Sequence, residues 1–204
     1  AYSTLSQAFN MIKLEYGDPR YWGFTNSVIG KDEEGNNIID SSSQNLVKTL
    51  FSHYIKQVKG KHKHSFRKYI SLDGRNYETN GNAELKSENI LYLADGTMVA
   101  FGWMYEDCNN QVVSCGDIQV FLPEKTAQLG VSTFYFYLTP DGIKPWGDRE
   151  QTVRPFKEYC DRKNSKGIVA NSQGRSCAAW VLYNDNMDYL YCDDLSWNGK
   201  TKCK

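Results

Sequence analysis

The chain has 204 residues, 24 basic and 24 acidic side chains and a formal net charge of zero. That balance gives no overall electrostatic argument for nucleic acid or an anionic membrane surface as a partner. With 40% hydrophobic residues the length suits one domain of ordinary size, or one with a substantial extension. No run of residues is apolar for long enough to cross a membrane. Tyr, at 14 residues, is the commonest aromatic, a composition found both in binding and assembly surfaces and in β-rich extracellular domains.

Tyr2, Leu5, Phe9, Ile12 and Tyr16 recur at alternating steps of three and four, the apolar stripe of a helix. Gly17 is a natural stop, and Asp18-Pro19 closes the exit. The start has no matching signal, because the stripe already runs through Ser3 and Thr4 at Tyr2. This pattern predicts the lower part of a longer helix, with Phe9, Ile12 and Tyr16 packed on the domain's own sheet and Tyr2 and Leu5 more exposed. Residues 20–40 read as loop, with Gly23, Gly30, Gly35, Asn36 and Asn37 among the acids Asp32, Glu33 and Glu34. A second helix is predicted from about Ser42 to Lys59, with Leu46, Leu50, Phe51, Tyr54 and Val58 on one face and a cap from Asp40 to Ser43.

The period then changes to two. Asn89 to Met104 reads as two strands joined by the Asp-Gly turn Ala94-Asp95-Gly96-Thr97, with Val99, Phe101 and Trp103 sharing a face. A third strand covers about Val112 to Leu122. A fourth covers Ser132 to Thr139, with Phe134, Phe136 and Leu138 inward and Tyr135 and Tyr137 outward; Ile143 to Trp146 returns after Pro140-Asp141-Gly142. The order is α+β: helices on one antiparallel meander. Residues 148–170 are charged and irregular. Cys177 to Tyr183 fits a short helix or a buried strand equally well. The division is a core over 1–147 and an extension of the same domain over 148–204.

All six cysteines, Cys108, Cys115, Cys160, Cys177, Cys192 and Cys203, lie in the second half. None has a CxxC or Cys/His zinc spacing, so local disulfides in an oxidising compartment are expected. Neighbour pairing gives Cys108–Cys115, Cys160–Cys177 and Cys192–Cys203. A polar, aromatic tail such as Asn184 to Lys204 buries little by itself, and staples suit it.

This layout resembles type IV pilins and type II secretion pseudopilins. The stretches that carry the resemblance are Ala1-Tyr-Ser-Thr-Leu-Ser-Gln-Ala8, Leu93-Ala-Asp-Gly-Thr97, Gly174-x-x-Cys177-Ala-Ala-Trp180-Val, Asn186-Met-Asp-Tyr-Leu190 and Cys192-x-x-x-Ser196-Trp-Asn-Gly-Lys200. It implies a structural subunit of a bacterial surface filament that assembles with its own full-length copies. It also implies an upstream hydrophobic helix seated in the inner membrane before assembly, and Tyr2, Leu5, Phe9, Ile12 and Tyr16 as the foot of the assembly helix. Major pseudopilins carry a calcium loop near the C-terminus, and many relatives carry an Asp-Val-Asn-Gly-like turn after the Cys-Gly strand. Here Cys115-Gly116 leads into Asp117 to Glu124 without that turn, so the resemblance brings over no calcium ligand.

Other chemistry has weaker signals. His62 and His64 form an HxH pair, but the surrounding lysines repel a metal cation and make a solvated basic loop. Lys56, Lys59, Lys61, Lys63, Arg67 and Lys68, with no acid among them, could hold DNA or another polyanion. Asp32, Glu33, Glu34 and Asp40, and later Asp185, Asp188, Asp193 and Asp194, are oxygen-rich but lack EF-hand spacing. There is no GxSxG, HExxH, P-loop or GxGxxG motif. No cofactor and no catalysis are expected. A secreted ligand-binding module or adhesin without filament assembly is the alternative, in which the exposed tyrosines and the C-terminal region hold a ligand; a host surface or DNA is the partner expected for the outer surface.

Overall fold

A computed structural model describes residues 1–57, 68–77, 89–163 and 172–203. In chain order the elements are α1 (Tyr2–Tyr16), β1 (Val28–Lys31), β2 (Asn37–Ile39), α2 (Ser42–Tyr54), β3 (Lys68–Ile70), β4 (Ile90–Tyr92) and β5 (Met98–Met104). They continue with β6 (Gly116–Phe121), β7 (Thr126–Gln128), β8 (Thr133–Thr139), β9 (Gly142–Pro145), α3 (Phe156–Tyr159) and α4 (Ala178–Asn184). The fold is mixed α+β with three disulfides, and its largest sheet has the order β4-β5-β6-β8-β9.

The chain forms two compact units. The first comprises residues 1–64, 79–123 and 137–144, and the second 65–78, 124–136 and 145–204. The second unit therefore takes two segments from before residue 147, where the sequence placed the boundary of an extension.

In the first unit, α1 ends because Gly17 turns to φ 77 while its N–H still reaches the Lys13 carbonyl. The Trp22 indole N–H then donates to Gly17 O at 3.0 Å, and the Asp18 carboxylate caps Arg20 N–H at 2.9 Å. Leu5, Ala8, Phe9 and Ile12 are the buried face of the helix. The first-turn reading is corrected here: Leu5 is 0% exposed, whereas Tyr16 is 46% exposed. The stripe drifts around the helix, so its far end at Tyr16 faces solvent. Two polar ties fix the helix to the β8–β9 hairpin: the Tyr2 hydroxyl donates to Ile143 O (3.0 Å), and Lys13 Nζ donates to Pro140 O (2.7 Å).

α1 packs on α2, and α2 packs on β4 and β5, where the Phe51 and Phe101 rings lie 5.3 Å apart. α2 starts where the Asp40 carboxylate accepts the Ser42 N–H and hydroxyl, at 3.0 and 2.6 Å. It stops at Tyr54 and not at Lys59, because Ile55 turns extended, buries its side chain and brings Gln57 into an antiparallel bridge with Leu93. β4 and β5 pair antiparallel around the Asp-Gly turn, where Asp95 accepts the Thr97 N–H (2.9 Å) and Gly96 takes φ 85. β5 is buried on both faces except at half-buried Trp103, so one-sided alternation does not describe it.

Residues 20–40 are more ordered than a loop. β1 and β2 form an antiparallel hairpin, and its tip is closed by Asp32, whose carboxylate accepts the Asn36 N–H at 2.7 Å. The Asn36 side-chain amide, which donates to the other Asp32 oxygen at 3.1 Å, and then this backbone bond hold the Asp32 carboxyl below its ordinary range.

In the second unit, β3 pairs parallel with β7, a long-range contact outside the expected meander. The outward assignment of Tyr135, in this unit, and of Tyr137, in the first unit, is corrected: both are buried. Tyr135 keeps its phenol satisfied by hydrogen bonding with the Tyr77 hydroxyl at 2.9 Å, and the Arg175 guanidinium covers its ring at 4.5 Å. Cys177 to Tyr183 resolves as helix, and the left-handed Asp185 ends it. The core here is Phe156 stacked on Trp180 (4.4 Å between ring centroids, 12° between planes), with Leu72, Tyr189, Leu195 and the Cys160–Cys177 bridge.

Candidate functional site

Two surfaces carry the candidate residues. The first is α1. Its inner face is spent in the core, as described above. On its other side Gln7, Met11 and Leu14 recur at helical spacing and are exposed, Met11 at 50% and Leu14 at 83%. Leu5, Phe9 and Ile12 of the stripe read from sequence are therefore the packing face, its ends Tyr2 and Tyr16 are half-buried and exposed, and Met11 and Leu14 are the apolar residues left bare on the other side. Sequence reasoning missed them because two apolar residues at i and i+3 make no stripe until the inner face is known. A bare Leu alone is ordinary; Met11 and Leu14 on one helix seam form a small patch.

The second surface is a groove of about 590 Å³ in the second unit. Phe156, Tyr189 and Leu195 form its apolar part, and Cys160 and Cys192, from two different bridges, lie in its wall. Three cations meet at Asp193. Lys157 Nζ donates to its carbonyl (3.1 Å), Arg162 Nη2 to one carboxylate oxygen (3.4 Å), and Lys163 pairs with the other. The Lys163 contact first, and then that of Arg162, hold the Asp193 carboxyl below the usual range. Burial pushes the Tyr189 phenol far up, and the hydroxyl stays a donor to Gly130 O at 2.5 Å.

The acidic clusters resolve into structural duties. Asp32 closes a turn and Asp40 begins α2. Asp185 ends α4, and the Asp188 carboxylate accepts the Cys203 N–H at 2.5 Å. Asp194 pairs with Lys200 at 2.9 Å. Asn186 is a hub for the tail, accepting from the Trp180 indole (3.0 Å) and donating to Thr201 O (3.2 Å). Among the described residues no group of three or more His, Cys, Asp or Glu side chains could hold a metal ion. His62, His64 and most of the basic stretch, Lys59 to Arg67, lie outside the described residues. No helix among the described residues is long and apolar enough to cross a membrane.

The bridges are Cys108–Cys115, Cys160–Cys177 and Cys192–Cys203, the neighbour pairing. The molecule is thus an α+β protein with one unit stapled once and the other twice. It belongs to the family of unknown function DUF6613, whose family model matches residues 1–195. No curated protein and no solved structure matches the chain.

Proposed function

We propose that the chain is the soluble part of a bacterial type IV pilin-like or pseudopilin-like subunit, a structural and non-enzymatic component of a surface filament. The observation that carries the reading is the two-faced α1. One side, Leu5, Ala8, Phe9 and Ile12, holds its own unit together, while Met11 and Leu14 on the other stay bare. A filament needs a contact that repeats without closing, and a helix with a second apolar seam can supply one. Two further features support it. The stretches that resemble prepilin-like proteins fall on structural points: Leu93 to Thr97 on the β4–β5 turn, Cys177 to Val181 on a bridge and the start of α4, and Asn186 on the tail hub. Three disulfides fit an oxidising compartment outside the cytoplasm.

In this reading an upstream apolar helix anchors the subunit in the inner membrane before assembly, and the finished filament is extracellular. The outer surface then meets a host surface or DNA. The test is the gene-length protein in its own host, followed by membrane fractionation and electron microscopy with an antibody to this chain. A membrane-held pool and labelled filaments are expected. Free monomer in the medium, with no membrane pool, would overturn the proposal. That outcome would favour a secreted ligand-binding module, a reading the groove at Asp193 supports.

A further inference from the structure

The three bridges differ in their surroundings. Cys108, Cys115, Cys160 and Cys177 are all buried in their units, none more than 6% exposed. Cys192 and Cys203 are both half-buried, and Cys192 lines the open groove beside Asp193. Thiol–disulfide exchange begins with attack by a thiolate on one sulfur, so its rate follows access to that sulfur. Cys160 lies in the wall of the same groove, but it is only 6% exposed and its partner Cys177 0%, so of the three bridges the one nearest the C-terminus is the most accessible in the folded protein.

The residues that follow Cys192 have their own anchors. Leu195 is buried, and the Trp197 ring lies 4.9 Å from Trp180 and donates its N–H to Gly147 O at 3.1 Å. Thr201 O is held by Asn186 and the Cys203 N–H by Asp188. Opening the bridge therefore removes one covalent closure and leaves these contacts in place. Cys160–Cys177, by contrast, belongs to the buried cluster of the Phe156–Trp180 stack, so opening it loosens the core of the unit.

We propose that Cys192–Cys203 is a thiol-exchange site of the native protein, served by a dithiol oxidoreductase or a small dithiol. A thiolate of the dithiol enters by the groove and attacks Cys192 Sγ. The bond to Cys203 breaks, and Cys203 leaves as a thiolate. The second thiol of the dithiol resolves the mixed disulfide at Cys192. The dithiol ends as a disulfide, and its two protons end on Cys192 and Cys203. The groove's three cations, Lys157, Arg162 and Lys163, are matched by the carboxylates of Asp193, Glu158 and Asp161, so the lining sets no net negative charge against the incoming thiolate. The inference stands apart from the filament reading, because it uses only the second unit.

The test treats the folded protein with graded dithiothreitol, traps thiols by alkylation and maps them by peptide mass. Cys192 and Cys203 should be alkylated together, at least roughly tenfold faster than the other four, with the near-ultraviolet circular dichroism preserved. In a Cys192→Ala/Cys203→Ala variant no early thiol should appear. Alkylation first at Cys108 and Cys115, or at all six positions together with loss of the near-ultraviolet signal, would overturn the proposal. The wild-type time course decides this even where the variant folds poorly.

Discussion

Gly147 lies directly against the backbone of Ser176: a Cβ at Gly147 would stand 2.0 Å from the Ser176 carbonyl oxygen. Its φ of 89 also lies where side chains other than glycine are strained. This contact joins the end of β9 to the chain just before α4, where Ala179 N–H donates to Trp146 O at 3.1 Å. Replacing Gly147 by Ala meets backbone and not a flexible side chain, so no rotamer change relieves it. A loss of about 3 kcal/mol or more is expected in chemical denaturation followed by tryptophan fluorescence. A loss under about 0.5 kcal/mol, the range of an ordinary surface change, would show that the contact relaxes.

The Cys160–Cys177 bridge should be the costliest to remove. It spans a sequence separation of 17, against 11 for Cys192–Cys203 and 7 for Cys108–Cys115, and it touches the stacked Phe156 and Trp180. Chain entropy alone assigns a loop of that size about 3 kcal/mol. Thermal melts of the three paired Cys→Ala variants should rank in the order of separation. Equal losses would mean that native packing, and not loop closure, sets the cost.

What the sequence made legible was local. Gly17-Asp18-Pro19 ends α1, Asp95-Gly96 turns β4 into β5, and neighbouring cysteines pair; each depends on a few adjacent residues. What escaped depends on partners far along the chain. Tyr135 alternates with Phe134 and Phe136 as an outward residue should, yet Tyr77 and Arg175 bury it. The parallel β3–β7 pair joins segments more than fifty residues apart, and no local period announces it. The acids at 32–34 looked like a solvated loop because a carboxylate that closes a hairpin has the same composition as one that merely faces water. The bare seam of α1 became visible only once the buried face was known.

A second tie between α1 and α2 should show in alkali. The Tyr54 hydroxyl donates to the Glu15 carboxylate, and this bond, first among its causes, raises the phenol from its ordinary value near 10 to about 12. The folded state prefers the protonated phenol. Its contribution is therefore full below about pH 10 and is lost as pH rises through about 12. Glu15→Gln removes the carboxylate's charge and should return Tyr54 towards its ordinary value, read by phenolate absorbance. An unchanged titration in that variant would assign the shift to another group.

The two sides of α1 should respond differently to an introduced charge. Leu5 is 0% exposed, so Leu5→Ala should cost about 3 kcal/mol and Leu5→Asp should prevent folding of the first unit. A charge at Leu5 is thus no probe of assembly, because it removes the domain itself. Leu14 is 83% exposed, so Leu14→Asp should leave stability within about 0.5 kcal/mol of wild type. Met11→Asp should behave similarly, since that side chain is half in solvent. In the gene-length protein the same two substitutions put a carboxylate on the seam proposed to meet a neighbouring subunit, and filaments should be lost while the 204-residue chain keeps its stability within that margin. Burying an unpaired charge in such a contact costs several kcal/mol per interface, repeated along the filament. Normal filaments from both variants would remove α1's outer side from the contact and with it the observation on which the filament reading rests.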